Sequence, residues 1–201
     1  MPLVLLAAQA AIDAPPLPRA EMRAVWVATV SNIDWPSSGN IAPTQQQTEA
    51  RRLLDEAKAA GANAIVLQVR SECDAIYPSA LEPWSRAVTG LQGRAPSTAW
   101  DPLQYWIDQC RDRGMELHAW FNPYRAMTST TATRASTHVS NDPAFRVPTY
   151  DGKRWLDPGH PASRTRFLAV VDDVVRRYDI DGVHIDDYFY PYPADGIAFP
   201  D

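Results

Sequence analysis

His184 and Asp186 stand two residues apart in GVHID, so in an extended strand both side chains leave the same face. The same alternation in ELHAWFN sends His118, Trp120 and Asn122 to one side, and in AIVLQVR it sends Gln68 and Arg70 to one side. The residues between them (Val183, Ile185, Leu117, Ala119, Phe121, Ile65, Leu67 and Val69) are apolar and suit packing beneath helices. Three segments thus each bring polar groups to one surface, where burial is costly unless the groups are paired. Asp186 is the carboxylate nearest the carboxyl end of its strand. Beside Arg70 it is expected to stay ionised, as a nucleophile or the stabiliser of an oxocarbenium ion must. Asp187 is the second catalytic candidate, although alternation turns it to the opposite face, where a loop or cap role competes. A purely structural network among His118, His184, Gln68, Arg70 and Asp186 is the alternative reading of the cluster.

These residues need strands to carry them, and the chain supplies a repeated strand–loop–helix pattern. Strands are expected at 23–30, 64–70, 116–121 and 182–186. Helices are expected from Pro43 to about Ala60, from Asp101–Pro102 to Arg113–Gly114, and over 162–178, where Phe167, Val170, Val171, Val174 and Val175 recur on one side. Alternating strands and helices imply an α/β fold with a parallel sheet and right-handed crossovers. The helix-to-strand connections, 61–63, 114–115 and 179–181, are short. The strand-to-helix connections, 31–43, 71–100 and 122–161, are long. Long loops without structure are uncommon unless functional. Here all of them lie beyond the carboxyl ends of the strands, where barrels and open α/β sheets build their sites. Residues 128–137, rich in Thr, Ser and Ala, read as a mobile surface loop.

With 201 residues the chain suits one domain but is short for a complete eight-fold barrel, which needs about 250. Its composition, 45% hydrophobic and 21% charged, is that of an ordinary globular protein. A net charge of −5 without a basic run argues against nucleic acid as a partner. No segment is long and apolar enough to span a bilayer. The two cysteines, Cys73 and Cys110, have neither metal-site spacing nor the number for a disulfide framework. Residues 1–20 read as a signal-like segment ending at Ala8-Gln9-Ala10, followed by a proline-rich linker, which leads to the expectation of an extracytoplasmic protein. Residues 21–201 then form the catalytic-type domain. The loops are rich in aromatics (Trp35, Tyr77, Trp84, Tyr124, Trp155, Tyr188, Phe189, Tyr190, Tyr192), whose faces can stack on sugar rings. About half of them are expected to pack the loops instead.

Six stretches together resemble the glycosyl hydrolase-like 10 family: 23–36 (RAVWVATVSNIDWP), 68–78 (QVRSECDAIYP), 82–85 (EPWS), 116–125 (ELHAWFNPYR), 156–159 (LDPG) and 181–192 (DGVHIDDYFYPY). They run in order over nearly all of residues 21–193. The resemblance implies a TIM (β/α)8 barrel, of which this chain would be the N-terminal half, about four β/α units ending after strand four. It also implies an envelope or secreted location and hydrolysis of bacterial cell-wall glycan, peptidoglycan strands stripped of their peptides. In barrels of the alpha-amylase type, which the family looks like, the nucleophile follows strand four and the acid follows strand five. Asp186 matches the first position, and the second would lie beyond Asp201. Ser71-Glu72-Cys73 departs from the Pro and Gly expected near the strand-two loop.

On this reading Arg70, His118, Trp120, Asn122, Tyr124, Arg125, His184, Tyr188 and Trp35 are the candidate substrate-binding residues, and the partner is a polysaccharide. No cofactor or metal is expected. A retaining mechanism needs a second carboxyl about 5–5.5 Å from Asp186, for which Glu72 is the candidate within this chain. A metal-dependent deacetylase or amidase using His118, His184, Asp186 and Asp187 is an alternative, without a His-x-His or His-Glu-x-x-His spacing to support it. A non-catalytic glycan-binding fragment is another. Oligomeric state is not legible.

Overall fold

The computed structural model describes residues 21–186, 189–194 and 196–200. The signal-like segment and linker, 1–20, and the candidates Asp187 and Tyr188 lie outside the described residues. Four strands, β1 (Ala24–Val27), β2 (Ala64–Arg70), β3 (Glu116–Phe121) and β7 (Gly182–Ile185), form one parallel sheet in the order β1-β2-β3-β7. Its register aligns Val27 with Leu67, Gln68 with Trp120, and Trp120 with His184.

Three long helices cover one face of this sheet. In α1 (Pro43–Ala59) the buried residues Gln46, Ala50, Leu54 and Ala57 recur every three or four positions. In α3 (Pro102–Arg111) Leu103, Trp106, Ile107 and Cys110 do the same, and in α4 (Pro161–Arg177) Ser163, Phe167, Val170 and Val174. Each begins with proline at its first turn, where the missing N–H has no intrahelical partner to lose. Asp101 caps α3 by accepting the Gln104 N–H at 3.2 Å. The buried stripes meet Ile65, Leu67, Leu117, Ala119 and Phe121 in one core. Val175, expected on the buried side of α4, is 52% exposed, because the buried stripe is centred on Phe167, Val170 and Val174.

The strand-to-helix loops carry structure of their own. Between β2 and α3 lies the one-turn helix α2 (Arg86–Thr89), capped by the Ser85 side chain and ended by Gly90 in the left-handed region at φ 74°. Between β3 and α4 lie β4 (Arg125–Met127), β5 (Thr149–Tyr150) and β6 (Lys153–Trp155), an antiparallel sheet in the order β4-β6-β5. The threonine-rich stretch expected to be mobile is pinned at both ends. Glu72 accepts the Thr128 hydroxyl at 2.7 Å and Gln92 accepts the Ala135 N–H at 3.2 Å.

Strand β7 differs from the expectation that its apolar residues pack beneath helices, and β1, at the other edge, is bare as well. Val183 and Ile185 on β7 are 42% and 40% exposed, and Val25 on β1 is 39% exposed, because no described helix packs over them. Among the described residues, no helix is long and apolar enough to cross a membrane.

Candidate active site

The carboxyl ends of all four parallel strands are joined by one line of hydrogen bonds. Just past β1, the Thr29 and Val30 backbone N–H groups donate to Gln68 Oε1 at 2.9 and 2.8 Å. Gln68 Nε2 on β2 donates to Asn122 Oδ1, immediately after β3. Asn122 Nδ2 in turn donates to Asp186 Oδ2, immediately after β7. Arg125 Nη2 donates to the same Asn122 oxygen at 2.8 Å, and Arg125 Nε donates to the Ser71 carbonyl at 3.1 Å. Thr29, Gln68 and Asn122 are fully buried, while Asp186 is half-buried.

Below Asp186, on the face away from the helices, three rings pack together. Trp26 lies 5.4 Å from Trp120 and 5.1 Å from His184, and Trp120 lies edge-on to His184 at 6.2 Å. Trp26 is 57% exposed. Trp120 Nε1 and His184 Nε2 have no hydrogen-bond partner among the described residues. Alternation along the strands therefore brings Trp120, Asn122, His184 and Asp186 together as expected. It also brings Trp26, which the period of two in AVWV makes legible but which was not among the candidates.

Four candidates stand elsewhere. His118 does share the inner face, but it pairs with Gly182, the residue that begins β7, and bonds Glu116 at 2.8 Å. At about 3.3 Å per residue it sits about 13 Å down the strands from Asn122. His118 therefore does not converge with His184 and Asp186, and a metal set of His118, His184 and Asp186 has no common centre. Among the described residues no group of three ligand-type side chains could hold a metal ion.

Arg70 departs further from expectation. A bulge between Gln68 and Arg70 aligns Arg70 with Phe121, on the helix side, and an inserted residue reverses the face. Its guanidinium lies over the Phe167 ring at 5.8 Å and makes a two-pronged bond to Glu82 at 2.6 and 2.7 Å. Its remaining donor reaches the Asn122 and Pro123 carbonyls at 2.6 and 3.0 Å. Burial opposes the charge on Arg70, but its pKa is held above the usual value, with the facing Glu82 carboxylate favouring the charged form. Arg70 is fully enclosed, so it braces the chain that presents Asn122 rather than touching a ligand. Trp35 is likewise enclosed at 0% exposure. Its indole N–H donates to the Gln46 carbonyl at 2.9 Å and its ring packs edge-on against Trp106 and Trp100. It fills the space between the loop after β1 and helices α1 and α3 and offers no face to a sugar. Tyr124 is half-buried and packs against Phe167.

The acidic residues of the loops are already engaged. Glu72 accepts from Thr128 and faces Arg86 Nε at 3.4 Å. Asp74 accepts from Ser71, from the Glu72 N–H and from Gln92. Glu72 is thus held in the loop framework by Thr128 and Arg86. Cys73, at φ 51°, occupies the left-handed region that favours glycine. Burial pushes the Cys73 and Cys110 thiols up to about 12, so neither is a nucleophile at neutral pH. What the arrangement presents is one oriented carboxylate at a strand end, beside the exposed Trp26 ring.

Comparison with known proteins decides the family. The sequence profile described as Glycosyl hydrolase-like 10 matches residues 21–201. This chain belongs to that family. Within the glycosyl hydrolase-like 10 family, it is 43% identical over 183 residues to the Bacillus subtilis (strain 168) protein named glycosyl hydrolase YngK, an overlap of 90% of this chain and 36% of that protein. It is 40% identical over 186 residues to the Escherichia coli (strain K12) protein named glycosyl hydrolase DigH, an overlap of 84% of this chain and 42% of that one. The chain thus spans well under half the length of either relative. Among solved structures it is similar to a Paenibacillus sp. cycloisomaltooligosaccharide glucanotransferase, with 16% identity, a TM-score of 0.49, and coverage of 82% of this chain and 23% of that one.

Proposed function

We propose that this glycosyl hydrolase-like 10 chain is the first half of a (β/α)8-barrel glycoside hydrolase that cleaves bacterial cell-wall glycan, with Asp186 as nucleophile or oxocarbenium stabiliser. The observation that carries the reading is the Asn122–Asp186 bond at the carboxyl end of β7, where barrel enzymes place their catalytic groups. A donated N–H stabilises the charged carboxylate, the form that a nucleophile needs. Trp26, exposed on the inner face, offers a ring for a sugar to stack on, and Trp120 and His184 pack against it.

The half-barrel reading is supported by the edge strands. Both β1 and β7 leave apolar side chains bare, and Trp26 is bare on the inner face. Closing the sheet with further strands and covering it with further helices would bury all of them. The general acid is then assigned to a strand after β7 in the intact protein, because Glu72, Asp74, Glu82 and Asp157 are each tied to partners within the described residues. That commitment is also what favours the second reading, in which this chain alone binds glycan without cleaving it. The choice of cell-wall glycan rests on the family resemblance. Export would follow from the apolar start of the sequence and its Ala8-Gln9-Ala10 site.

In the intact protein, Asp186→Asn is expected to lower turnover of peptide-free glycan strands by at least about 10³-fold with the fold unchanged by circular dichroism. Turnover at the wild-type rate would remove Asp186 from the reacting position.

A further inference from the structure

We infer that Gln68 is a positioning residue that sets the direction of the hydrogen bond received by Asp186; the inference rests on Asp186 being the reacting carboxylate. An amide side chain can be turned end for end without steric cost, so only its partners decide which end faces a carboxylate. Here the decision begins in the backbone. The N–H groups of Thr29 and Val30 can only donate, and both reach Gln68 Oε1, at 2.9 and 2.8 Å. That leaves Gln68 Nε2 to face β3, where it donates to Asn122 Oδ1. The Arg125 guanidinium, also only a donor, reaches the same oxygen at 2.8 Å.

With Oδ1 holding two donors, Asn122 presents its Nδ2 to Asp186. Inverting Asn122 would set its oxygen against the carboxylate and its NH₂ against both a guanidinium and the Gln68 NH₂. Thr29, Gln68 and Asn122 are fully buried, so water cannot relieve those contacts. The Thr29 hydroxyl, donating to the Gln68 carbonyl at 2.9 Å, locks the two strands at this level. Gln68 acts through Asn122, not on the sugar, and its effect is to keep Asp186 ionised.

The test uses two variants of the intact protein. Gln68→Glu keeps the acceptor for Thr29 and Val30 and so preserves the strand pairing. Two backbone N–H bonds keep the introduced carboxyl ionised, and it loses the donor to Asn122. Gln68→Met removes that donor, and with it the acceptor for Thr29 and Val30, without adding charge. Both are expected to move the acid limb of the kcat/KM pH profile upward by about one unit, with KM at neutral pH unchanged. A loss that is only structural would lower the melting temperature or the active fraction and leave that limb in place. A wild-type acid limb in both variants, or a shift confined to Gln68→Glu (a through-space charge effect), overturns the inference. Asp186→Asn run alongside separates the two claims. Full turnover there sinks the nucleophile reading, whereas loss of turnover with unmoved acid limbs in the Gln68 variants sinks only the role of Gln68.

Discussion

Arg70 and Glu82 are 0% and 1% exposed in their side chains, so neither can lose its partner without stranding a charge in a dry interior. Removing one member of a buried pair costs about 3–5 kcal/mol, far more than the pair gains over an apolar replacement. Glu82→Ala is therefore expected to destabilise the protein by about that amount, read as a fall in the denaturant midpoint. A change under about 1 kcal/mol would mean that Arg70 finds another partner. The same residues mark where alternation can be read and where it fails. Gln68, Trp120, Asn122, His184 and Asp186 fall on one face because their strands are regular. Arg70 does not, because one extra residue in β2 reverses the face, and nothing in AIVLQVR announces the bulge. Height along the strand is a second blind spot. His118 and Asn122 share a face four residues apart, yet only the pairing of β3 with β7 reveals that Asn122, and not His118, lies level with Asp186.

At the scale of elements, the loop from 128 to 141 is joined to the strand-two loop by a neutral histidine. His138 is buried; its Nε2 donates to the Glu72 carbonyl at 2.9 Å and its Nδ1 accepts the Ser140 N–H at 3.2 Å. Protonation would destroy that acceptor. Burial lowers the His138 pKa below its ordinary 6.5, and Arg70 acts in the same direction. The Glu72 carbonyl bond and the charges of Asp74 and Glu82 oppose them without prevailing. The unfolded chain takes up the proton near 6.5 and the folded chain only at lower pH. This contribution to stability is therefore complete above about 6.5 and is lost as pH falls through the folded value. Between pH 7.5 and 5 the denaturant midpoint is expected to drop more in the wild type than in His138→Gln, which retains an N–H donor. Equal drops would assign the acid sensitivity to other groups. The long helices and β2, β3 and β7 are legible from periodicity, proline starts and glycine stops. The β4-β6-β5 sheet and α2 are not, because strands of two or three residues and a single helical turn are too short to show a period.

For the whole molecule, the four-stranded sheet is covered by helices on one face and ends in two parallel edges. Trp35, Tyr77 and Trp155 are buried whereas Phe189, Tyr190 and Tyr192 are exposed, so the long loops use about half of their aromatics to build a core of their own. Which half is not legible from composition, because stacking on sugar and packing on a helix ask for the same side chains. The 201-residue chain produced by itself is expected to self-associate at about 10 µM through β1, β7 and the bare Val25, Trp26, Val183 and Ile185, as followed by sedimentation velocity. A monodisperse monomer would count against the half-barrel architecture. Whether the Asp186 carboxyl is the group that meets the sugar is decided by a crystal structure of intact Asp186→Asn protein soaked with a peptide-free glycan fragment. An anomeric carbon is expected about 3–3.5 Å from the side chain at position 186, with a sugar ring against Trp26. A glycan seated elsewhere, with that side chain turned away from it, would remove Asp186 from the reaction.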